Sequence, residues 1–203
     1  MSTYFTPETI EKVIEFHGHQ CPGLAIGTRA SELCLTKLGH NNDSPLVTVC
    51  ETDMCGVDAI QFLTGCSIGK GNLLLRDYGK MVFTFFRRKD GKGVRALLSP
   101  EFLKESRAEM SKLMKSISDC SATEADKKRC KDIRSEVETK YFEADLDEMF
   151  IIGEPQMDIP RPAAILESLE CQSCGEKIME SRSRRFAGQT LCIPCFNKVE
   201  QKI

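Results

Sequence analysis

Near the N-terminus, apolar positions recur at helical spacing and are punctuated by glycine and proline. Thr6 and Pro7 read as an N-cap and a first helical residue, and Ile10, Val13 and Ile14 follow, which predicts a helix running to about Phe16. Gly18 interrupts the pattern inside His17-Gly18-His19-Gln20-Cys21, and Pro22 supplies the fixed φ of a second helix start. From Gly23 to Leu38, the small residues Gly23, Ala25, Gly27 and Ala30 are interleaved with Leu24, Ile26, Leu33, Cys34 and Leu38. This suits a closely packed buried helix ended by Gly39, and it places Cys21 at a helix N-terminus.

The pattern then shortens. Leu46 to Glu51 is β-branched and apolar and reads as a strand, after which Asp53 is positioned to cap a helix through Leu63. Asn72 to Arg76, Lys80 to Arg88 and Val94 to Ser99 read as strands, with turns at Tyr78-Gly79 and Asp90-Gly91-Lys92-Gly93. Such short connections predict an antiparallel sheet. Two charged amphipathic helices follow, Glu101 to Ile117 and Glu124 to Phe142, and then one last strand, Met149 to Ile152. The fold class is α+β, with helices packed on a mainly antiparallel sheet. Gly153-Glu154-Pro155, Pro160 and Pro162 mark a crossing into a cysteine-bearing tail, dividing the chain into a core domain, 1–165, and a small C-terminal domain, 166–203.

Composition narrows the function classes. The 203 residues are 41% hydrophobic and 29% charged, enough for one core of ordinary size plus an appendage. Lys and Arg number 28 against 30 for Asp and Glu, so no global field draws the chain to nucleic acid or to an anionic membrane. No apolar run approaches the ~20 residues that cross a bilayer, and Met1 to Pro7 lacks a basic-then-apolar export segment, so a cytoplasmic protein is expected. Eleven cysteines without an export signal, an odd number, point to metal or thiol chemistry in a reducing compartment rather than to a disulfide framework.

Four of those cysteines form the sharpest motif. Cys171-x2-Cys174 and Cys192-x2-Cys195 are separated by 17 residues, the spacing of a closed tetrahedral structural zinc site. A tail this small needs the metal to fold. A hairpin from Glu176 to Arg184 and Phe186 to Leu191, then a short helix from Pro194 to Lys202, would make a treble-clef finger. Arg182, Arg184 and Arg185 cluster here, but with little net charge and only two aromatic residues in the tail they read as a solvated hairpin tip rather than a nucleic-acid contact.

A second constellation lies at the other end. If the loop around Gly18 is extended, alternation points His17, His19 and Cys21 to one side. Cys55 sits two residues after Asp53 in the first turn of the next predicted helix. Should the two helix starts meet, His17, His19, Cys21 and Cys55 would share a pocket, with Asp53 orienting an imidazole or completing a metal shell. Imidazole and thiolate suit zinc and other late transition metals. The same geometry would activate Cys21 or Cys55 as a redox or nucleophilic thiol, with His17 or His19 as its base. Spacing alone does not separate these uses. Gly65-x3-Gly69-Lys70-Gly71 falls short of a phosphate loop by one residue and by the missing hydroxyl, yet Lys70 could meet an anionic ligand and Cys66 could join the pocket. Cys34, Cys50, Cys120 and Cys130 are assigned to packing or inert surface positions.

The stretch from Phe16 to Gly27, Phe-His-Gly-His-Gln-Cys-Pro-Gly-Leu-Ala-Ile-Gly, resembles the opening motif of the FmdE family, proteins similar to the FmdE component of formylmethanofuran dehydrogenase. The likeness continues through Glu51-Thr-Asp-Met-Cys55, Asp58-Ala-Ile-Gln61, Thr64-Gly-Cys66, Gly69-Lys-Gly-Asn-Leu73 and Asp77-Tyr-Gly-Lys80, and resumes at the two Cys pairs. It implies an α+β core with a C-terminal treble-clef zinc finger, a homodimer, and association with a molybdenum or tungsten oxidoreductase. In that enzyme carbon dioxide is reduced onto methanofuran at a pterin-bound metal carried by other polypeptides. This chain has no ferredoxin-type cysteine run and no recognisable pterin-binding domain, so the resemblance does not carry that activity over. Three readings stand: an accessory metal-binding protein with a His/Cys pocket, a cysteine-dependent enzyme, and a protein-interaction module.

Overall fold

Local signals begin and end the first two helices of the computed structural model, which describes residues 4–199. In α1 (Pro7–His17) the Thr6 hydroxyl accepts the Thr9 N–H at 3.2 Å, and Gly18, at φ 90, closes the last turn by donating its N–H to Ile14 O at 2.7 Å. In α2 (Pro22–Leu38) the cap is a thiol: Cys21 Sγ accepts the Leu24 N–H at 3.4 Å. Then come β1 (Leu46–Cys50), α3 (Gly56–Thr64), β2 (Leu73–Leu75), β3 (Val82–Arg87) and β4 (Gly93–Leu98). They are followed by α4 (Lys104–Ser118), α5 (Glu124–Glu143), the single turn α6 (Leu146–Met149) and β5 (Phe150–Gly153). The α5 start is a capping box in which Thr123 and Asp126 each hold the other's backbone N–H.

The five strands are ordered β2-β1-β3-β4-β5. Three neighbouring pairs are antiparallel, as the short connections predict, but β2 is not the hairpin partner of β3. It lies parallel to β1, with Thr48 opposite Leu73, because α3 and the loop after it return the chain across the sheet before β2 begins. The turn at Tyr78-Gly79 serves a different purpose: Tyr78 N–H and Lys80 N–H both donate to Glu51 O at 3.0 Å, which lets β3 pass to the far side of β1.

One face of the sheet carries the main core. Leu46, Cys50, Phe83, Phe85, Val94, Ala96, Leu98 and Phe150 pack against Leu33 and Cys34 of α2, Ile60 of α3, and Ile133, Val137 and Tyr141 of α5. Arg29, 1% exposed, ties α2 to the end of α5 by donating to Glu32 Oε2 and to Ala144 O, each at 2.5 Å. On the other face, Val47, Val49 and Phe86 are covered by Met157 and Ile159. The chain after Gly153 is therefore a strap over the sheet rather than the start of a linker, and Arg88 Nη1 fixes it by donating to Pro160 O at 2.9 Å. The chain divides into two compact units that part between Pro162 and Ala163.

Within the C-terminal unit, β6 (Ser168–Glu170) pairs with β7 (Lys177–Met179), and β8 (Ser183–Phe186) pairs with β9 (Gln189–Cys192), both antiparallel. The expected single hairpin is thus two, because the first Cys pair occupies the turn of the earlier one. The helix α7 (Ile193–Phe196) follows directly and is a single turn: of the longer helix expected over Pro194 to Lys202, residues 197–199 are not helical and 200–202 lie outside the described residues. Knuckle hairpin, second hairpin and helix, in that order, make a treble clef.

The helices α2 and α3 cross with backbone against backbone. A Cβ on Gly27 would stand 2.5 Å from Gly56 Cα, and one on Gly56 would stand 2.9 Å from Gly23 O. Only glycine permits this approach. Gly27→Ala should destabilise the core unit by ~3 kcal/mol through overpacking that the backbone cannot relieve. In thermal unfolding that appears as a Tm lowered by roughly 6–12 °C. Gly69→Ala, at a position where an added Cβ meets nothing within 4 Å, is the control and should leave Tm nearly unchanged.

Candidate metal centres

The glycine crossing brings the starts of α2 and α3 together. Gly23 has no side chain to hold α3 off: a Cβ there would stand 3.2 Å from Cys55 Cβ and 2.7 Å from the Met54 methyl. Cys21 and Cys55, the cap residues of the two helices, therefore become neighbours where two positive helix ends converge. The end of α1 supplies the rest. His17 is its last residue and His19 follows the left-handed Gly18, with the two imidazole rings 4.4 Å apart. Convergence comes from a helix end and a glycine turn, not from the extended alternation expected of this loop.

Ligand atoms of His17, His19, Cys21 and Cys55 all lie within 4.8 Å of one another. Donors on a tetrahedral zinc stand about 3.3–3.8 Å apart, so small side-chain adjustments would close the set on one ion. His17 Nε2 is 4.0 Å from Cys21 Sγ. Its other nitrogen, Nδ1, is 2.8 Å from Asp58 Oδ2, which leaves Nε2 facing the pocket. Burial is graded: the Cys21 side is buried, His17 and Cys55 are partly buried, and His19 is exposed. Burial, followed by the neighbouring Cys55, pushes the Cys21 thiol up from its ordinary value, although the Leu24 N–H opposes the shift. That direction is opposite to the one a standing thiolate nucleophile requires.

Three of the anticipated pocket residues lie elsewhere. Asp53 is exposed and outside the quartet, since α3 starts at Gly56 with Cys55, not Asp53, in the cap position. The carboxylate that meets an imidazole is Asp58, one turn into α3. Its spacing of three from Cys55, neighbours on a helix surface, was the available signal. Cys66 belongs to the main core with Cys34 and Cys50, and burial pushes its thiol up. Lys70 is exposed, its Nζ donating to Gly65 O at 3.0 Å. Of the remaining cysteines, Cys34, Cys50 and Cys130 are buried and Cys120 is exposed.

In the C-terminal unit, sulfur atoms of Cys171, Cys174, Cys192 and Cys195 likewise lie within 4.8 Å of one another. Gly175, at φ 77, turns the knuckle, and its N–H reaches Cys171 O at 2.8 Å. Cys171 Sγ accepts the Cys192 N–H at 3.2 Å, and such backbone donors hold its thiol down at about 6. Cys192 Sγ accepts the Cys195 N–H at 3.4 Å. Leu191, Ile178, Phe186 and Phe196 pack around Cys171, Cys192 and Cys195, while Cys174 is exposed. Arg182, Arg184 and Arg185 are exposed.

Comparison with known proteins agrees with this division. The family model described as FmdE, molybdenum formylmethanofuran dehydrogenase operon, matches residues 16–151, and that of the prokaryotic DksA/TraR C4-type zinc finger matches residues 164–201. A probable S-adenosyl-L-methionine-binding protein of Archaeoglobus fulgidus is 33% identical over 89% of this chain, which spans about half (50%) of that relative's length. A solved structure from Syntrophus aciditrophicus, a tungsten formylmethanofuran dehydrogenase FmdE-like protein, shares the fold at a TM-score of 0.60. It is 22% identical, over 93% of this chain and 90% of that one. The tail is thus a C4-type zinc finger, its four cysteines placed to hold zinc. No described helix is long and apolar enough to cross a membrane.

Because its apolar core is small, the finger should unfold when zinc is stripped by a strong chelator, while the core unit stays folded. Hydrogen exchange should then show lost protection for β6 to α7 and unchanged protection for β1, β3 and α2. Cys192→Ser should have the same effect without chelator.

Proposed function

Since the chain belongs to the FmdE family, we propose that it is a metal-binding accessory protein whose N-terminal pocket holds a transition-metal ion, while the tail zinc is structural. The observation that carries this reading is the His17, His19, Cys21 and Cys55 quartet, with donor atoms within 4.8 Å and an imidazole backed by Asp58. Two imidazoles and two thiols are borderline-soft donors that favour zinc and other late transition ions over magnesium or calcium. A divalent ion would also balance two thiolates held side by side in a partly buried site. The names of the family and of the Syntrophus protein support association with a molybdenum or tungsten oxidoreductase of the formylmethanofuran dehydrogenase type. Self-association into a homodimer belongs to the same reading, as does a cytoplasmic location.

A second reading is supported by the Archaeoglobus relative's name: the pocket takes a small organic ligand instead of an ion, and S-adenosylmethionine is the first to test by equilibrium dialysis.

Elemental analysis separates the two. The purified protein should carry two metal equivalents per chain, one for each quartet, and a Cys21→Ser, Cys55→Ser double variant should carry one. One zinc in both proteins would confine metal to the tail and reject the metal pocket.

A further inference from the structure

The four donors of the N-terminal pocket are not held alike. His17 is the last residue of α1, its side chain only 10% exposed, and its Nδ1 is occupied by Asp58. Cys21 is 5% exposed, and its sulfur already caps α2 through the Leu24 N–H. Cys55 is partly buried and held against Gly23 by the crossing of α2 and α3. His19 differs on every count. It is exposed, lies between helices, and follows Gly18 at φ 90. Among the described residues its ring has no hydrogen-bond partner, and it lies tilted 4.4 Å from the ring of His17.

Three fixed donors and one loose one describe an open site with a removable fourth ligand. Closed structural sites hold all four, whereas sites that exchange ligands keep three and leave the fourth position free. We infer that His19 is the exchangeable donor of this pocket and that a small monodentate soft base, of imidazole or thiolate character, takes its place from the solvent side. The inference rests on the metal-pocket reading. The exchange is a ligand substitution without electron transfer. The His19 nitrogen keeps its lone pair as it leaves, the incoming nitrogen or sulfur supplies one, and an entering thiol releases its proton to water. Selectivity follows from the walls: Cys21 is buried, His17 and Cys55 are partly buried and His19 alone is exposed, so a newcomer of more than a few atoms extends outward past His19.

The test uses the full chain with cobalt(II) in place of the native ion. Visible spectra are taken as differences against the Cys21→Ser, Cys55→Ser double variant, so that any cobalt in the tail cancels. His19→Ala removes an exposed ring and should keep helix content and Tm. It should retain the pocket cobalt with a shifted ligand-field band, and added imidazole should restore the wild-type band saturably. A small thiol should shift the wild-type band toward that of a three-sulfur site. Loss of pocket cobalt from a folded His19→Ala would make His19 an obligate ligand and overturn the proposal. A wild-type band in His19→Ala that ignores imidazole would also overturn it, because His19 would then not be a donor. Should His19→Ala misfold, His19→Gln is read by the same criteria. Absence of pocket cobalt from the wild-type chain rejects the metal pocket itself, an outcome distinct from either of these.

Discussion

Everything at the N-terminal site depends on how closely two helices can approach. Ordinary helix packing keeps axes 8–10 Å apart because side chains stand between them. At Gly27 and Gly56 nothing stands between, and Gly23 extends the gap to the helix ends. The approach has two effects at once. It packs α2 and α3 onto the sheet through Leu33, Cys34 and Ile60, and it draws their first residues, Cys21 and Cys55, into one place. Stability and chemistry thus share a single contact, and the chain cannot loosen one without displacing the other.

Around that contact the donors are secured by means that differ in strength. A carboxylate fixes His17, a backbone N–H occupies Cys21, and helix packing holds Cys55, while His19 is left to a glycine turn. The tail shows the opposite style. There, backbone N–H groups point at Cys171 and Cys192, and apolar side chains pack around Cys171, Cys192 and Cys195, while Cys174 is exposed. One chain therefore contains two four-donor clusters that differ in softness and in access to solvent.

Much of this was legible in the sequence where the signal is local. Thr6-Pro7, Gly18 and Pro22 set the helix ends because capping is decided by a few adjacent residues. The Cys171 to Cys195 spacing is legible for the same reason. What the sequence did not reveal is decided at a distance. The place of β2 beside β1 depends on α3 crossing the sheet, and turn chemistry at Tyr78-Gly79 gives no hint of it. Asp53 lay nearer to Cys55 in sequence, yet Asp58 meets His17, because helical periodicity rather than proximity decides which carboxylate faces the neighbour. Cys66 is adjacent to a glycine-rich loop but is claimed by the core, where apolar surroundings outweigh the motif around it. Proline at 155, 160 and 162 resembles a linker, while Met157 and Ile159 between them find an apolar sheet face to cover.

Three of the four N-terminal donors come from the five residues His17 to Cys21, and only Cys55 is remote in sequence. A short peptide carrying two imidazoles and a thiol can chelate an ion without any tertiary structure. On the metal-pocket reading, the denatured chain would compete with the native one for the same ion, whose contribution to folding would be only the difference between the two affinities. Cys55 is the donor that would separate the two, because it alone requires the helices to have crossed. A pocket of this composition can be loaded while the polypeptide is still disordered, with folding adding the final bond.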